Sequence, residues 1–282
     1  MILIADSGST KTDWCLLQTP ALLREITTQG INPVLQDDAA IESIITAQLL
    51  PEMGGSALEV TEVFFYGAGV TPQMQPRMRR LLMAHFTKAN VVAESDLLGA
   101  ARALFQLKEG IACILGTGSN SGLYDGHGIV RNVPPLGFIL GDEGSGAVMG
   151  KLFLGSLYKG LLPAELKDRF EQTMGLSMPD VIQKVYREPM PNRFLASLAP
   201  FIAENLQCEP LRLLVVDHFR SFFHRNVAAY GRPELPVGIV GSIARHFRTL
   251  VEEAAQMENI RLEKVVQRPM GGLVDYHTTA VS

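Results

Sequence analysis

The chain has 282 residues, 47% apolar and 19% charged, which is enough for a sizeable buried core in one large or two smaller domains and excludes a disordered chain. Net charge is −4 from 25 basic and 29 acidic residues, and no Lys/Arg run marks a nucleic-acid or membrane surface, so any anionic ligand must be held by local chemistry. No apolar run approaches the roughly 20 residues of a membrane span, and Asp6 interrupts the only apolar stretch near the start, so a soluble, cytoplasmic protein is expected.

In chain order, residues 2–5, 13–17 and 22–27 read as strands, followed by a helix over 37–50 and a strand over 63–66. A helix with Pro72 at its start runs to about residue 86, then come a short strand over 90–93 and a helix over 96–106. A strand over 111–115 enters the turn Gly116-Thr117-Gly118-Ser119-Asn120, and strands over 121–124 and 128–133 precede the cluster Gly141-Asp142-Glu143-Gly144-Ser145-Gly146. Residues 143–231 are mostly helical in pattern, with breaks expected at Pro163, Pro179, Pro189 and Pro210. A strand over 237–240, a helix to about 258 and a strand over 262–266 complete the pattern. The strand-then-glycine-turn unit occurs twice, which resembles an internal duplication, and the restart at 116–120 sets the expected boundary between halves 1–115 and 116–282.

The first repeat of that unit ends in Asp6-Ser7-Gly8-Ser9-Thr10-Lys11-Thr12. A buried strand delivers Asp6 to its carboxyl end, where it can hold magnesium through water. Gly8 lets the backbone turn, and N–H groups with Ser9, Thr10 and Lys11 can surround phosphate oxygens. A Walker A loop needs glycine before the Lys-Ser/Thr pair and a helix after it. Here Thr10 precedes Lys11 and residues 12–17 read as a second strand, so the segment is a hairpin whose turn either grips phosphate or merely reverses the chain. The second turn, Gly116, Thr117, Gly118 and Ser119, offers uncharged N–H and hydroxyl donors, and two such turns favour nucleotide binding over one.

Asp96 ends one strand and starts a helix, where a carboxylate can project from a sheet edge toward a substrate hydroxyl and take its proton. The competing role is a helix N-cap, worth about 1 kcal/mol. Asp142 lies between glycines at a helix start and can meet ligand hydroxyls, although stabilising the helix dipole explains it too. Gly241-Ser242, after the 237–240 strand, lets a flat base or ribose lie against backbone, and Asn32 before Pro33 either orients a hydroxyl or forms a turn. The six histidines show no metal-ligand spacing, and the three cysteines, Cys15, Cys113 and Cys208, are far apart without C-x-x-C spacing, so reduced buried thiols are expected. Phe219, Phe222 and Phe223, at helical spacing, read as core or a subunit interface.

These residues resemble the sugar kinase/actin/heat-shock ATPase superfamily and, within it, the N-acetylglucosamine-kinase-like, BadF/BadG-type ATPase branch, over nearly the whole chain. Residues 6–12 look like the family's first phosphate motif, 116–120 its second and 237–242 its adenosine motif. The resemblance implies an α/β fold of two ribonuclease-H-like, actin-like ATPase domains with an ATP and sugar cleft between them, commonly in a homodimer. It implies Asp96 as catalytic base, Asn32, Asn120 and Asp142 as amino-sugar contacts, Asp6 as organiser of Mg2+, and ATP as phosphoryl donor to a primary hydroxyl of N-acetylglucosamine or a relative such as N-acetylmuramic acid or glucosamine. Two departures stand out. Ser7 and Ser9 occupy positions where the family often has glycine, and Pro135-Leu136-Gly137-Phe138 replaces a Trp-Gly-His segment, which leaves the identity of the sugar open. An activator ATPase of 2-hydroxyacyl-CoA dehydratases, which shares this branch, would need a cysteine-glycine motif that the chain lacks. A non-catalytic sugar-binding regulator would usually carry a DNA-binding helical module.

Overall fold

The structure is a computed structural model and describes residues 1–8, 10–18 and 21–279. It divides into two compact units, one of Met1–Lys108, Gly126–Ile129 and Pro269–Ser282, the other of Glu109–Asp125 and Val130–Arg268.

The first unit is built on strands β1 (Ile2–Ser7), β2 (Lys11–Gln18), β3 (Ala21–Gln29), β4 (Glu62–Gly67) and β5 (Asn90–Ser95), in the order β3-β2-β1-β4-β5. β2 runs antiparallel to β1 and β3, whereas β4 and β5 run parallel to β1. Side chains alternate across the sheet, so both faces of β1 are apolar. Leu3 and Ala5 pack with Trp14 and Leu16 on one face, and Ile2 and Ile4 with Cys15, Leu17 and Tyr66 on the other. The helices are α1 (Asp38–Ile44), which passes through a wide turn into α2 (Leu50–Met53), then α3 (Gln75–Met83) and α4 (Asp96–Phe105). The proline in the first turn of α3 is Pro76, not Pro72: residues 72–74 form a separate turn closed by Met74 N–H to Thr71 O at 2.8 Å.

The second unit carries β6 (Gly110–Leu115), β7 (Ser119–Tyr124), β8 (Ile129–Val133), β9 (Val237–Val240) and β10 (Leu262–Val266). The order β8-β7-β6-β9-β10 repeats the first sheet strand for strand, with β7 antiparallel and β9 parallel to β6. The duplication anticipated from the glycine turns is therefore a duplication of topology. Helices α5 (Gly137–Leu140), α6 (Gly146–Tyr158), α7 (Ala164–Met174), α8 (Met178–Tyr186), α9 (Pro191–Ala196), α10 (Ala199–Glu204) and α11 (Glu209–Phe222) lie between β8 and β9. α12 (Ser242–His246) and α13 (Arg248–Met257) follow β9. Phe219, Phe222 and Phe223 are fully buried in the core of this unit. The helical run is interrupted near each of Pro163, Pro179, Pro189 and Pro210, as expected: Pro189 lies between α8 and α9, and the other three stand at the starts of α7, α8 and α11, where proline's missing N–H is harmless.

An expected boundary at 115/116 falls between β6 and β7, adjacent hydrogen-bonded strands of one sheet, while the compact units part at 108/109. The last described element is α14 (Met270–Thr279), which the strand pattern did not reveal and which packs on α4 and β1 of the first unit.

Candidate functional site

Open α/β sheets bind ligands outside the carboxyl ends of their parallel strands. In the first unit those ends are Asp6-Ser7 on β1, Gly67 on β4 and Ser95 on β5, with Ser7 paired to Gly67 and Gly67 to Ser95. Asp96 follows directly. Ser95, not Asp96, is the N-cap of α4, its hydroxyl accepting the Leu98 N–H at 3.2 Å. The Asp96 carboxylate instead turns back on the helix start and accepts the Leu97 N–H at 2.9 Å. Burial pushes its carboxyl up to about 6, against the lowering effect of these backbone donors. A carboxyl that titrates near 6 is mostly ionised at pH 7 and is a stronger base than an ordinary aspartate, which suits it to accept a proton.

Gly8 N–H closes the β1–β2 turn onto Lys11 O at 3.0 Å. A Cβ on Gly8 would find its nearest neighbour at 3.8 Å, so the turn itself does not require glycine there. Lys11 Nζ lies 2.5 Å from Asp13 Oδ2, and Thr27 Oγ1 donates to Asp13 Oδ1 at 2.9 Å. Asp6 and Asp13 are cross-strand partners, and the Lys11 ammonium offsets the repulsion of two opposed carboxylates. Asp6, a carboxylate at the carboxyl end of β1, is a hard oxygen donor of the chemistry that a hydrated Mg2+ takes. Ser9 lies outside the described residues, and Thr10 contributes its carbonyl to Gly30 N–H at 3.1 Å.

Asn32 follows β3 in a tight turn, with Val34 N–H donating to Asn32 Oδ1 at 3.0 Å and Leu35 N–H and Gln36 N–H to Asn32 O at 3.1 and 3.0 Å. Gly69, at φ +77°, is required beside it, since a Cβ there would lie 2.2 Å from Asn32 Oδ1. Gln36 clamps the loop, accepting the Asn32 N–H at 2.7 Å and donating to Gly30 O at 3.1 Å. Arg77 on α3 bonds Pro33 O, Gln36 O and Asp38. With Oδ1 engaged, the amide Nδ2 of Asn32 is the group left to meet a ligand oxygen.

In the second unit, the Gly116-Thr117-Gly118 turn takes its geometry from helix α6. Gly146 N–H donates to Gly116 O at 2.9 Å and Ala147 N–H to Thr117 O at 3.1 Å. Asp142, at φ +55°, directs its carboxylate to the N–H groups of Ser119 and Gly137, and burial with neighbouring Glu143 pushes it up to about 6. A Cβ on Gly118 would lie 3.1 Å from Asp142 Oδ2. Asp142 thus lies against Gly118 and Ser119, two of the residues expected to meet phosphate. Asn120 Oδ1 accepts from Ser121 N–H and from Asn132 Nδ2, both at 2.9 Å, so Asn120 and Asp142 converge on the start of β7. Buried His218 of α11, pushed down to about 4 by desolvation, lies 3.0 Å from Ser145 O, and Arg225 pairs with Glu143 at 3.1 Å.

Gly241, at φ +136°, is the residue that brings β9 against β6, because a Cβ would stand 2.1 Å from Leu115 O. After it, Ser242, Ile243, Arg245 and His246 with Gln267 face Ala196–Pro200 across a pocket of about 680 Å³. Cys15 and Cys113 are buried, and burial pushes both thiols up, Cys15 to about 11. Among the described residues no group of three or more His, Cys, Asp or Glu could hold a metal, and no helix is long and apolar enough to cross a membrane.

Within the first unit the structure gathers Asp6, Gly8, Lys11, Asn32 and Asp96 at one sheet end, and within the second it gathers residues 116–120 with Asp142. Ser242 lines the pocket beyond β9, and Gly241 precedes it. Sequence reasoning missed Gln36, Arg77, His218 and Arg225, whose partners are remote in the chain; Gln36, four residues beyond Asn32, was the one within local reach.

Two units, each a five-stranded mixed sheet of the same order with a β-hairpin turn at its carboxyl end, define a protein of the sugar kinase/actin-like ATPase fold. Over 100% of both chains it is 47% identical, with TM-score 0.97, to a presumed N-acetylglucosamine kinase of Porphyromonas gingivalis. The chain belongs to this N-acetylglucosamine-kinase-like family. The fold extends to a presumed N-acetylglucosamine kinase of Chromobacterium violaceum, with TM-score 0.76, 18% identity and 98% of each chain covered. A ROK family glucokinase of Streptomyces griseus, solved with glucose and AMPPNP, shares it at TM-score 0.55, 15% identity and 97% coverage of each chain. No family model matches the chain, and no curated protein does.

Proposed function

We propose that the protein is an ATP-dependent kinase that phosphorylates a primary hydroxyl of an amino sugar, N-acetylglucosamine or a close relative. Full-length similarity at 47% identity to a presumed kinase of that sugar supports the class. The observation that carries the chemistry is Asp96, a half-buried carboxyl at a strand end, beside the Ser95 cap and poised near 6. In this reading Asp96 accepts the proton of the attacking hydroxyl as its oxygen bonds to the γ-phosphorus and ADP leaves. Asn32, Asn120 and Asp142 hold the other sugar hydroxyls and the acyl-amino group. The backbone at Gly8, Thr10, Thr117 and Gly118, with Lys11, surrounds the phosphates. The pocket beside Gly241 and Ser242 takes the nucleoside. Asp6 would hold Mg2+ through water, and the ion would supply charge neutralisation at the β- and γ-phosphates. A homodimer, implied by the family resemblance, and a cytoplasmic location, expected from the sequence, complete the reading, and sedimentation equilibrium checks the dimer.

The test is an ATP-coupled assay over a panel of amino sugars with Asp96→Asn as control. Turnover on at least one N-acylated sugar and its loss by a factor of about 100 or more in the variant are expected, with ATP affinity unchanged. A flat response across the panel refutes the kinase reading.

A further inference from the structure

Ser7 breaks with the glycine frequent at its position, and the structure gives its hydroxyl a use. The residue is fully buried. Its Oγ lies 2.7 Å from Thr12 Oγ1 and 3.0 Å from Ile31 O, and it accepts the Ile31 N–H at 3.0 Å. A Thr12-to-Ser7-to-Ile31 donor chain satisfies all three contacts with one serine proton. Thr12, also fully buried, has its Oγ1 3.1 Å from Gln29 O, but with its proton on Ser7 that carbonyl is left to the Thr28 hydroxyl, also at 3.1 Å. Ser7 stands directly between Asp6 and Gly8 of the phosphate turn, and Ile31 directly precedes Asn32. Gly30 N–H to Thr10 O, at 3.1 Å, is a second tie between turn and loop.

We propose that Ser7 is a positioning residue that couples the β1–β2 phosphate turn to the Asn32 sugar loop, so that a nucleotide at the turn orders the loop. The coupling rests on the nucleotide and sugar roles proposed above. A glycine at position 7 would keep the backbone and lose this link, because only the side chain spans from β1 to Ile31. Buried hydroxyl networks of this kind can carry coupling between adjacent sites when every member is satisfied.

Hydrogen exchange of the Ile31 amide, with and without magnesium and a non-hydrolysable ATP analogue, reads the coupling without turnover. In the wild-type protein the analogue is expected to slow exchange on the order of tenfold. In Ser7→Ala and in Thr12→Val that nucleotide-dependent difference falls to within about twofold, and Thr12→Ser restores it. A merely structural role would speed exchange equally with and without nucleotide. In steady state, with the other substrate saturating, Ser7→Ala should raise the sugar KM and the ATP KM together, each on the order of tenfold, because coupling between two sites is reciprocal. Fluorescence of Trp14, the only tryptophan and bonded to Thr28 at 3.0 Å, checks that the hairpin is folded, and Thr12→Val carries the test should Ser7→Ala fail to fold. Equal protection of Ile31 in wild type and variants overturns the coupling alone. An analogue that does not bind the wild-type protein overturns the nucleotide reading and the coupling with it.

Discussion

At the scale of single residues, Asp96 and Gly8 make the sharpest predictions. A base must be ionised, so kcat/KM for the sugar should rise with pH through about 6 and level off above it, as the Asp96 carboxyl loses its proton. Asp142 is raised to the same region, so the acid limb should persist in Asp142→Asn if Asp96 is its source. The stability effect has the opposite sign to the activity. A carboxyl whose folded value exceeds its unfolded value near 4 favours the folded state only when protonated, and that advantage is lost as pH rises from about 4 through about 6. Asp96→Asn should therefore melt a few degrees higher than wild type at pH 7, checked by calorimetry, while turnover disappears. For Gly8 the prediction separates folding from binding. With its nearest neighbour at 3.8 Å, a methyl group is tolerated by the turn. Gly8→Ala should keep the wild-type Tm within a degree or so and raise the ATP KM, on the order of tenfold, because phosphate approaches bare backbone there.

The elements explain why such residues can sit where they do. β5 and α4 meet at Ser95-Asp96, and the division of labour between cap and carboxylate is set there: the serine takes the Leu98 N–H as the cap, and the Asp96 carboxylate takes the adjacent Leu97 N–H. The β9–α12 junction is the counter-example, a glycine that serves the fold. A side chain at Gly241 would both strain φ +136° and overlap Leu115 O on the neighbouring strand. Gly241→Ala should lose about 3 kcal/mol or more, seen as a large drop in denaturation midpoint or in soluble yield, before any effect on nucleotide affinity can be measured.

On the scale of the whole molecule, the chain leaves its first unit and returns to it. Helix α14 closes that unit through Leu273, which is fully buried, and through His277, whose Nε2 lies 2.8 Å from Tyr66 OH and whose ring stacks on Phe64 with 3.7 Å between centroids. Arg102 of α4 donates to the same Tyr66 hydroxyl at 2.8 Å. Truncation after Arg268 should therefore destabilise the first unit and Asp96 with it, although no candidate site residue is removed. A truncated protein with unchanged Tm and turnover would refute the role given to α14.

Much of this was legible in the amino-acid order, because the informative features are local. Apolar runs ending in glycine turns place Asp6 and residues 116–119, the 91–96 segment places Asp96 at a strand-to-helix junction, and the recurrence of the pattern announces two like sheets. These follow from side-chain period and turn chemistry over a few neighbours. What the order of residues could not express are pairings between distant positions. Only the tertiary structure decided that Ser95 caps α4, that Asp142 lies against Gly118, that Ser7 reaches Ile31 and that α14 joins the first unit. Each depends on which backbone group or hydroxyl lies within about 3 Å in space, a condition that packing sets and that no local pattern encodes.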